Sequence, residues 1–188
     1  MAKALVLLAP GFEEIEALTI VDVLRRGGVE VVTAGLEDPV EGSHGVKVLP
    51  DRKLEEVRVE DFEALICPGG YPGYENLRKN PKVLEMVRKA AESGKVVGAI
   101  CGAPAVLAEA GVLKGKRATI YPGMEGELKK GGAKPGKGLV VVDGKVVTSK
   151  GPATAFAFAL ELLRLLGGRK KAEEVRKATL AHLGARLR

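Results

Sequence analysis

Tryptophan and glutamine are absent from this sequence, and histidine, cysteine and asparagine each occur only twice in 188 residues. Two cysteines in a chain whose residues are 46% hydrophobic exclude a disulfide scaffold. No Cys-x-x-Cys pair or Cys/His cluster is present, which argues against a structural zinc site, and we expect no bound metal. No apolar run has the length of a membrane span and no signal-peptide pattern opens the chain, so we expect a cytoplasmic protein that does not contact membranes.

Aromatic residues are also scarce, at 4% of the chain, although the formal net charge is +6. Lysine and arginine are interspersed with glutamate over most of the length, and no stacking platform or recognition motif accompanies the charge. We therefore expect no nucleic-acid partner. The lack of glutamine is typical of a thermophile or an idealised sequence and carries no information on chemistry. The length and composition predict one compact domain over residues 1–188.

Apolar runs alternate with segments of helical periodicity along the whole chain. The runs predict buried strands at 3–9, 29–34, 62–67 and 95–100, a short strand at 118–121, an edge hairpin at 46–49 and a hairpin of 139–142 with 145–149. Helices are predicted at 15–26, 81–92, 104–110, 152–166 and 172–183. This alternation predicts an α/β fold, a mostly parallel sheet with helices on both faces, whose active groups lie at the carboxyl ends of the strands.

Cys101 stands where a strand ends and a helix begins, in the run Val96-Val97-Gly98-Ala99-Ile100-Cys101-Gly102-Ala103-Pro104. This pattern predicts a nucleophile elbow, in which small neighbours let the backbone approach both the reactive atom and its substrate. We expect the following helix to favour the thiolate. The alternative is a buried cysteine at a strand end without chemical function, and we expect Cys67 to be such a residue, buried and inert.

Three acids, Glu13, Glu14 and Glu16, follow the first strand at the start of a helix. Acids in a first helical turn are ordinarily dipole partners, and this explains Glu13 and Glu14. Glu16 takes a different role if it points at the sheet edge beside Cys101. Burial and the like charge of a thiolate would then raise its pKa and let it shuttle a proton.

Two further loops offer candidate site residues. Pro68-Gly69-Gly70 follows a buried strand and is either a plain turn or a close approach of backbone N–H groups to a developing oxyanion. The donors we predict are the N–H groups of Gly70 and Gly102, with Gly69 beside them. His44, at a predicted loop tip, is a candidate for lining the site, within one subunit or across a subunit boundary.

Together these motifs resemble the ThiJ/PfpI superfamily, and within it the parkinsonism-associated deglycase branch. The resemblance covers nearly the whole chain and rests on residues 4–9 with Gly11, 13–16, 21–28, 34–36, 38–40, 68–70, 99–101 with Pro104, and 148–154. It implies a flavodoxin-like three-layer sandwich that forms a homodimer. It also implies that Cys101 is an oxidation-sensitive nucleophile, that Glu16 is the acid hydrogen-bonded to it, and that the amides of Gly70 and Gly102 face the substrate oxygen.

The chain departs from the family pattern at three places. Tyr121 stands where the family often has a histidine near the cysteine, so we expect Tyr121 to line the site and Glu16 to carry the acid–base work. Gly102 follows the cysteine directly, where the protease-like branch has a histidine. His44 occupies a place where relatives commonly have arginine.

The resemblance implies a glutathione-independent glyoxalase or protein deglycase that needs no cofactor. Its substrate would be a small 2-oxoaldehyde, with methylglyoxal converted to lactate, or a glycated adduct. An alternative is an oxidative-stress redox sensor and chaperone in which Cys101 is oxidised to the sulfinate. A third function, peptidase or amidase, requires a positioned histidine base, which the sequence does not provide.

Overall fold

The computed structural model describes residues 1–186 as a sheet covered by helices. The strands are β1 Lys3–Leu8, β2 Glu30–Gly35, β3 Val40–Glu41, β4 Lys47–Val48, β5 Arg52–Lys53, β6 Ala64–Cys67, β7 Val96–Ile100, β8 Arg117–Ala118, β9 Lys134–Pro135, β10 Val140–Asp143 and β11 Val146–Ser149. The helices are α1 Glu14–Arg26, α2 Gly73–Lys79, α3 Pro81–Glu92, α4 Pro104–Glu109, α5 Glu125–Lys130, α6 Ala155–Gly167 and α7 Arg169–Ala178. Short 3-10 helices lie at Leu54–Glu56, Val59–Asp61, Pro152–Thr154 and Ala181–Arg186.

Seven strands form the main sheet in the order β10-β11-β7-β6-β1-β2-β5. Every pairing in it is parallel except the β10–β11 hairpin, which turns at Asp143-Gly144 as the sequence predicted. Strands β1, β6 and β7 are adjacent in the centre, so the loops that follow them meet at the same edge. These loops carry Glu16, Gly69 and Cys101.

Both faces of the sheet are buried, which explains why β1 has a continuous apolar sequence instead of an alternating one. Ala4, Val6 and Leu8 pack in one hydrophobic cluster with side chains of α1 and α6. Leu5 and Leu7 point the other way, into a second cluster with side chains of α3 and α4. The molecule is therefore a three-layer α/β sandwich, and this prediction is confirmed.

Several elements differ from their predicted extent. The predicted strand 118–121 is reduced to Arg117–Ala118, because the next backbone N–H groups bond elsewhere: Thr119 donates to Thr148 Oγ1 and Tyr121 to the carbonyl of Cys101. The last predicted helix begins earlier, at Arg169, and ends at Ala178. Helices α2 and α5 and strand β5 were not predicted. None of the helices in the described part is long and apolar enough to cross a membrane.

Candidate active site

Cys101 is held at the carboxyl edge of the sheet in a conformation that most side chains avoid. Its φ of 62° lies in the left-handed region, which within residues 1–186 it shares with one other non-glycine residue, Leu180. This costs about 1–2 kcal/mol, offset here by fixed backbone contacts. The N–H of Cys101 donates to the carbonyl of Ser149 at 2.9 Å, and its own carbonyl accepts from Tyr121 at 2.9 Å. The half-buried side chain is thereby fixed at a strand-to-helix corner, the geometry of a nucleophile elbow.

Glu16 is fully buried, with 0% of its surface exposed, on the inward face of α1. Its Oε2 accepts a hydrogen bond of 2.8 Å from the N–H of Gly69, while Oε1 is buried without a hydrogen-bond partner of ordinary geometry among the described residues. Burial raises the pKa of Glu16 to about 7, although hydrogen bonds with Gly69 and Cys101 act in the opposite direction. Glu16 is therefore a carboxyl group that holds a proton far more readily than an exposed glutamate does.

The sulfur of Cys101 also holds its proton firmly. Burial, and then the negative charge of Glu16, raise its pKa to about 12, while the N–H groups of Gly70 and Gly102 act to lower it. The expectation that the following helix favours a thiolate is wrong for the ionised state of Glu16, because burial and charge outweigh the amides. The charge of each group affects the pKa of the other, so the two groups titrate as a coupled pair.

The glycines around the sulfur are needed for close approach and not only for a turn. A Cβ atom at Gly69 would lie 2.5 Å from the Cβ of Cys101 and 2.7 Å from Oε2 of Glu16. A Cβ atom at Gly102 would lie 2.6 Å from the ring of Tyr74. Gly70 has φ 92° and packs on the backbone of the loop after β1. The structure thus brings Cys101 and the four residues predicted around its sulfur to the same edge of the sheet.

Tyr74 is a site residue that the sequence analysis missed. It lies in the first turn of α2, where its ring covers Gly102, and the ring of Tyr71 is 6.2 Å away at 56°. Burial and then the charge of Glu75 raise the pKa of Tyr74, and the charge of Cys101 adds a smaller contribution. The only signal in the sequence was the aromatic pair after the Pro-Gly-Gly turn, because α2 is too short to show a helical period.

The two other predicted lining residues are placed differently from each other. The backbone N–H of Tyr121 donates to the carbonyl of Cys101. The side chain of Tyr121 is 48% exposed, and its ring lies 3.5 Å from the position that a Cβ atom on Gly151 would take. His44 is exposed, and its Nδ1 lies 3.1 Å from Oε2 of Glu14, so its contacts are with the acids of α1.

Cys67 provides a contrast with Cys101. It is 0% exposed at the end of β6, and burial raises its pKa to about 12 with no neighbouring charge or donor to offset it. It is therefore the buried strand-end cysteine that the sequence predicted. The two thiols differ in their surroundings, because only Cys101 has Glu16 and the glycine amides beside it. We therefore expect the two to differ in reactivity.

Known proteins share this architecture across nearly the whole chain. The profile of the DJ-1/PfpI family matches residues 2–165. DJ-1beta of Drosophila melanogaster is 41% identical over 180 residues, 95% of this chain and 96% of its own, and its crystal structure, at 95% and 97% coverage, superposes with a TM-score of 0.90. A Caenorhabditis elegans relative named glutathione-independent glyoxalase DJR-1.2 is 39% identical over 93% of this chain and 94% of its own. The sequence resemblance is thus confirmed, and the chain belongs to the DJ-1 branch of the DJ-1/PfpI family.

Proposed function

We propose that this protein is a cofactor-independent enzyme that converts small 2-oxoaldehydes to 2-hydroxy acids, as in methylglyoxal to lactate. The observation that carries the proposal is a fully buried carboxyl group, Glu16, with one oxygen free to exchange a proton beside the half-buried side chain of Cys101. A nucleophile and a proton carrier in contact are the two groups that this reaction requires. The proposal also draws support from the name of the nematode relative, a glutathione-independent glyoxalase.

The first step joins the sulfur of Cys101 to the aldehyde carbon. As the S–C bond forms, the thiol proton passes to the carboxylate of Glu16 and the carbonyl π-bond opens onto oxygen. The N–H groups of Gly70 and Gly102, which act against the rise in the pKa of the sulfur, are the donors that we propose for that oxygen. Glu16 then returns its proton to this oxygen, which gives a hemithioacetal and restores the carboxylate.

The second step moves hydrogen between the two adjacent carbons of the substrate. The Glu16 carboxylate takes the proton from the former aldehyde carbon, an enediol forms, and a proton is returned to the neighbouring carbon. The former aldehyde carbon is thereby oxidised to a thioester while its neighbour is reduced to an alcohol, so no external oxidant is needed. One water molecule then hydrolyses the thioester, which releases the 2-hydroxy acid and restores the thiol.

The test is formation of lactate from methylglyoxal without added glutathione. We expect turnover by the unaltered protein and by Cys67→Ala, and none by Cys101→Ala. Consumption of an early glycation adduct, measured beside free methylglyoxal, separates direct deglycation from removal of the free aldehyde. Lactate formation that persists in Cys101→Ala would remove the nucleophile from the mechanism.

A second candidate function is redox sensing with chaperone activity, favoured by the donors that surround the sulfur. Two equivalents of peroxide convert a thiolate to a sulfinate with release of two waters. We propose that the amides of Gly70 and Gly102, which act on the pKa of the sulfur, and a protonated Glu16 donate hydrogen bonds to the added oxygens. Mass spectrometry after mild peroxide treatment distinguishes the functions: selective sulfinate at Cys101 in a protein without turnover favours sensing. Peptidase or amidase activity is not proposed, since it needs an imidazole beside the sulfur.

We also infer a homodimer, as the resemblance implied. Its support is an exposed apolar surface: Ile15 and Leu18 on α1 are 57% and 43% exposed, and Val46, whose N–H donates to Glu14 beside Ile15, is 46% exposed. Sedimentation equilibrium of the unaltered chain and of Leu18→Glu tests it. A monomer mass for the unaltered chain contradicts it.

A further inference from the structure

Four side-chain oxygen and nitrogen atoms outside the proposed catalytic pair lie close together where the loop after β3 meets the start of α1. They are Oε2 of Glu13, Oε2 of Glu14, Oγ of Ser43 and Nδ1 of His44, and this group is named here the His44 cluster. The Ser43 hydroxyl lies 3.3 Å from Glu13, 3.2 Å from Glu14 and 3.0 Å from the imidazole nitrogen. That nitrogen lies 3.5 Å from Glu13 and 3.1 Å from Glu14.

These separations are those of a tetrahedral metal site. Zinc binds nitrogen and oxygen at about 2.0–2.1 Å, which makes the edge of its tetrahedron about 3.3 Å. Five of the six edges of the His44 cluster lie between 3.0 and 3.5 Å. Ligand atoms of the two glutamates and the histidine all lie within 4.8 Å of one another. One ion at the centre therefore needs only small side-chain movements.

Glu14 is held in place from behind, as metal ligands are by their outer hydrogen bonds. It is 8% exposed, and its Oε1 accepts the backbone N–H of His44 at 2.7 Å and of Val46 at 3.3 Å. Gly42 packs directly on the carboxyl group, where a Cβ atom would overlap Oε1. Oε2 is consequently directed at the cluster while the other oxygen is occupied.

The charges of the cluster are incompletely balanced by the protein. Glu13 and Glu14 have His44 as their only ion-pair partner within residues 1–186, and no lysine or arginine lies within 4.0 Å. A divalent ion neutralises two carboxylates. The imidazole ligand favours zinc and related transition metals over magnesium or calcium, which prefer oxygen alone.

We propose that the His44 cluster is a binding site for one Zn²⁺ ion per chain, separate from the Cys101 site. The ligands are two carboxylates, an imidazole and the serine hydroxyl, the last exchangeable for water. Sequence spacing predicted no metal because the two ligand pairs are some thirty residues apart. The competing explanation is that a protonated imidazole alone bridges the acids.

The test is titration of the full, metal-stripped chain with Zn²⁺ against a chromophoric chelator. We use Cys101→Ala as the background so that the sulfur adds no ligand, and expect one ion per chain. His44→Ala should weaken binding at least about 100-fold, whereas the exposed second histidine, in His182→Ala, should leave it unchanged. Co²⁺ at the same site should give the intense visible absorption of a tetrahedral complex, lost in His44→Ala.

His44 is 71% exposed in its side chain, so thermal melting should show an intact fold in His44→Ala. Stoichiometric zinc binding that His44→Ala abolishes supports the site. No binding in the Cys101→Ala background, or binding equal in the two histidine variants, overturns it. The zinc titration does not measure lactate formation, so neither outcome supports or contradicts the proposed reaction, which the lactate assay tests separately.

Discussion

Replacing Glu16 by glutamine removes the proposed proton carrier and leaves the nucleophile, Cys101, in place. The amide has the size of the carboxyl group and its oxygen still accepts the hydrogen bond from Gly69. It does not take up a proton, so both the attack by Cys101 and the transfer between the substrate carbons lose their base. We expect kcat/KM for methylglyoxal to fall about 10²–10⁴-fold, the range for loss of general acid–base catalysis.

The raised pKa of Cys101 explains why the loss is large. Burial and the charge of Glu16 raise this pKa to about 12, so few molecules hold a thiolate at pH 7 without a proton acceptor. The glutamine also removes a negative charge beside the sulfur, and this lowers the pKa of Cys101 and returns part of the rate. The net loss corresponds to about 3–5 kcal/mol of transition-state stabilisation, at 1.36 kcal/mol for each tenfold change.

The assay is lactate formation, with labelling of the sulfur by iodoacetamide as the second measurement. We expect mass spectrometry to find Cys101 still alkylated in Glu16→Gln, because the residue is only half-buried. Glu55→Gln, an exposed carboxyl on a distant 3-10 helix, is the matched control and should keep full activity. A Glu16→Gln enzyme with more than about a tenth of the original kcat/KM would refute the role of Glu16.

Three further variants test the site, the surface and the core. Gly69→Ala places a Cβ 2.7 Å from Oε2 of Glu16, so we expect kcat to fall about 10²-fold with the fold retained by circular dichroism. Burial raises the pKa of Asp51, but hydrogen bonds from Thr33 outweigh it and hold the pKa below its usual range. Ionised Asp51 therefore stabilises the folded protein above about pH 4, and this stabilisation is lost at lower pH. The free energy of unfolding of Asp51→Asn in urea should consequently depend less on pH below about pH 4. Phe158→Ala, at a position 0% exposed, should cost about 3–5 kcal/mol and lower the melting temperature by roughly 10 °C in calorimetry; loss below about 1 kcal/mol would contradict the packing.

The central fold was predictable because its strands are buried on both faces. β1 and β7 appear as largely apolar runs, and the small residues after Cys101 indicate the elbow from the sequence alone. Glu16 also had a signal in the helical period: it shares a face with Ile20 and Val23, which lie four and seven residues further along α1 and are buried. An acid on the apolar face of a helix is buried when that face packs, and burial raises its pKa.

The missed features depend on contacts between distant segments. Tyr74 acts on the site only because α2 packs its ring on Gly102, and seven residues are too few for a period to emerge. The His44 cluster joins positions far apart in the chain through a loop whose path no local pattern specifies. The predicted direction of the pKa shift of Cys101 was wrong, because the start of a helix is visible in the sequence, whereas the burial that raises this pKa is not.

Burial does not hinder transfer of the proton between Cys101 and Glu16, although it raises the pKa of both groups. One negative charge occupies the same buried space whether the proton is on sulfur or on oxygen, so the cost of removing that charge from water largely cancels. The difference then depends on the ordinary acidities of the two groups, with pKa values of 9.0 and 4.5 that favour the proton on sulfur, and on the amides. The N–H of Gly69 donates to Glu16, while the N–H of Gly70, the next residue, acts on the sulfur. Two consecutive amides of one turn therefore favour opposite positions of the proton.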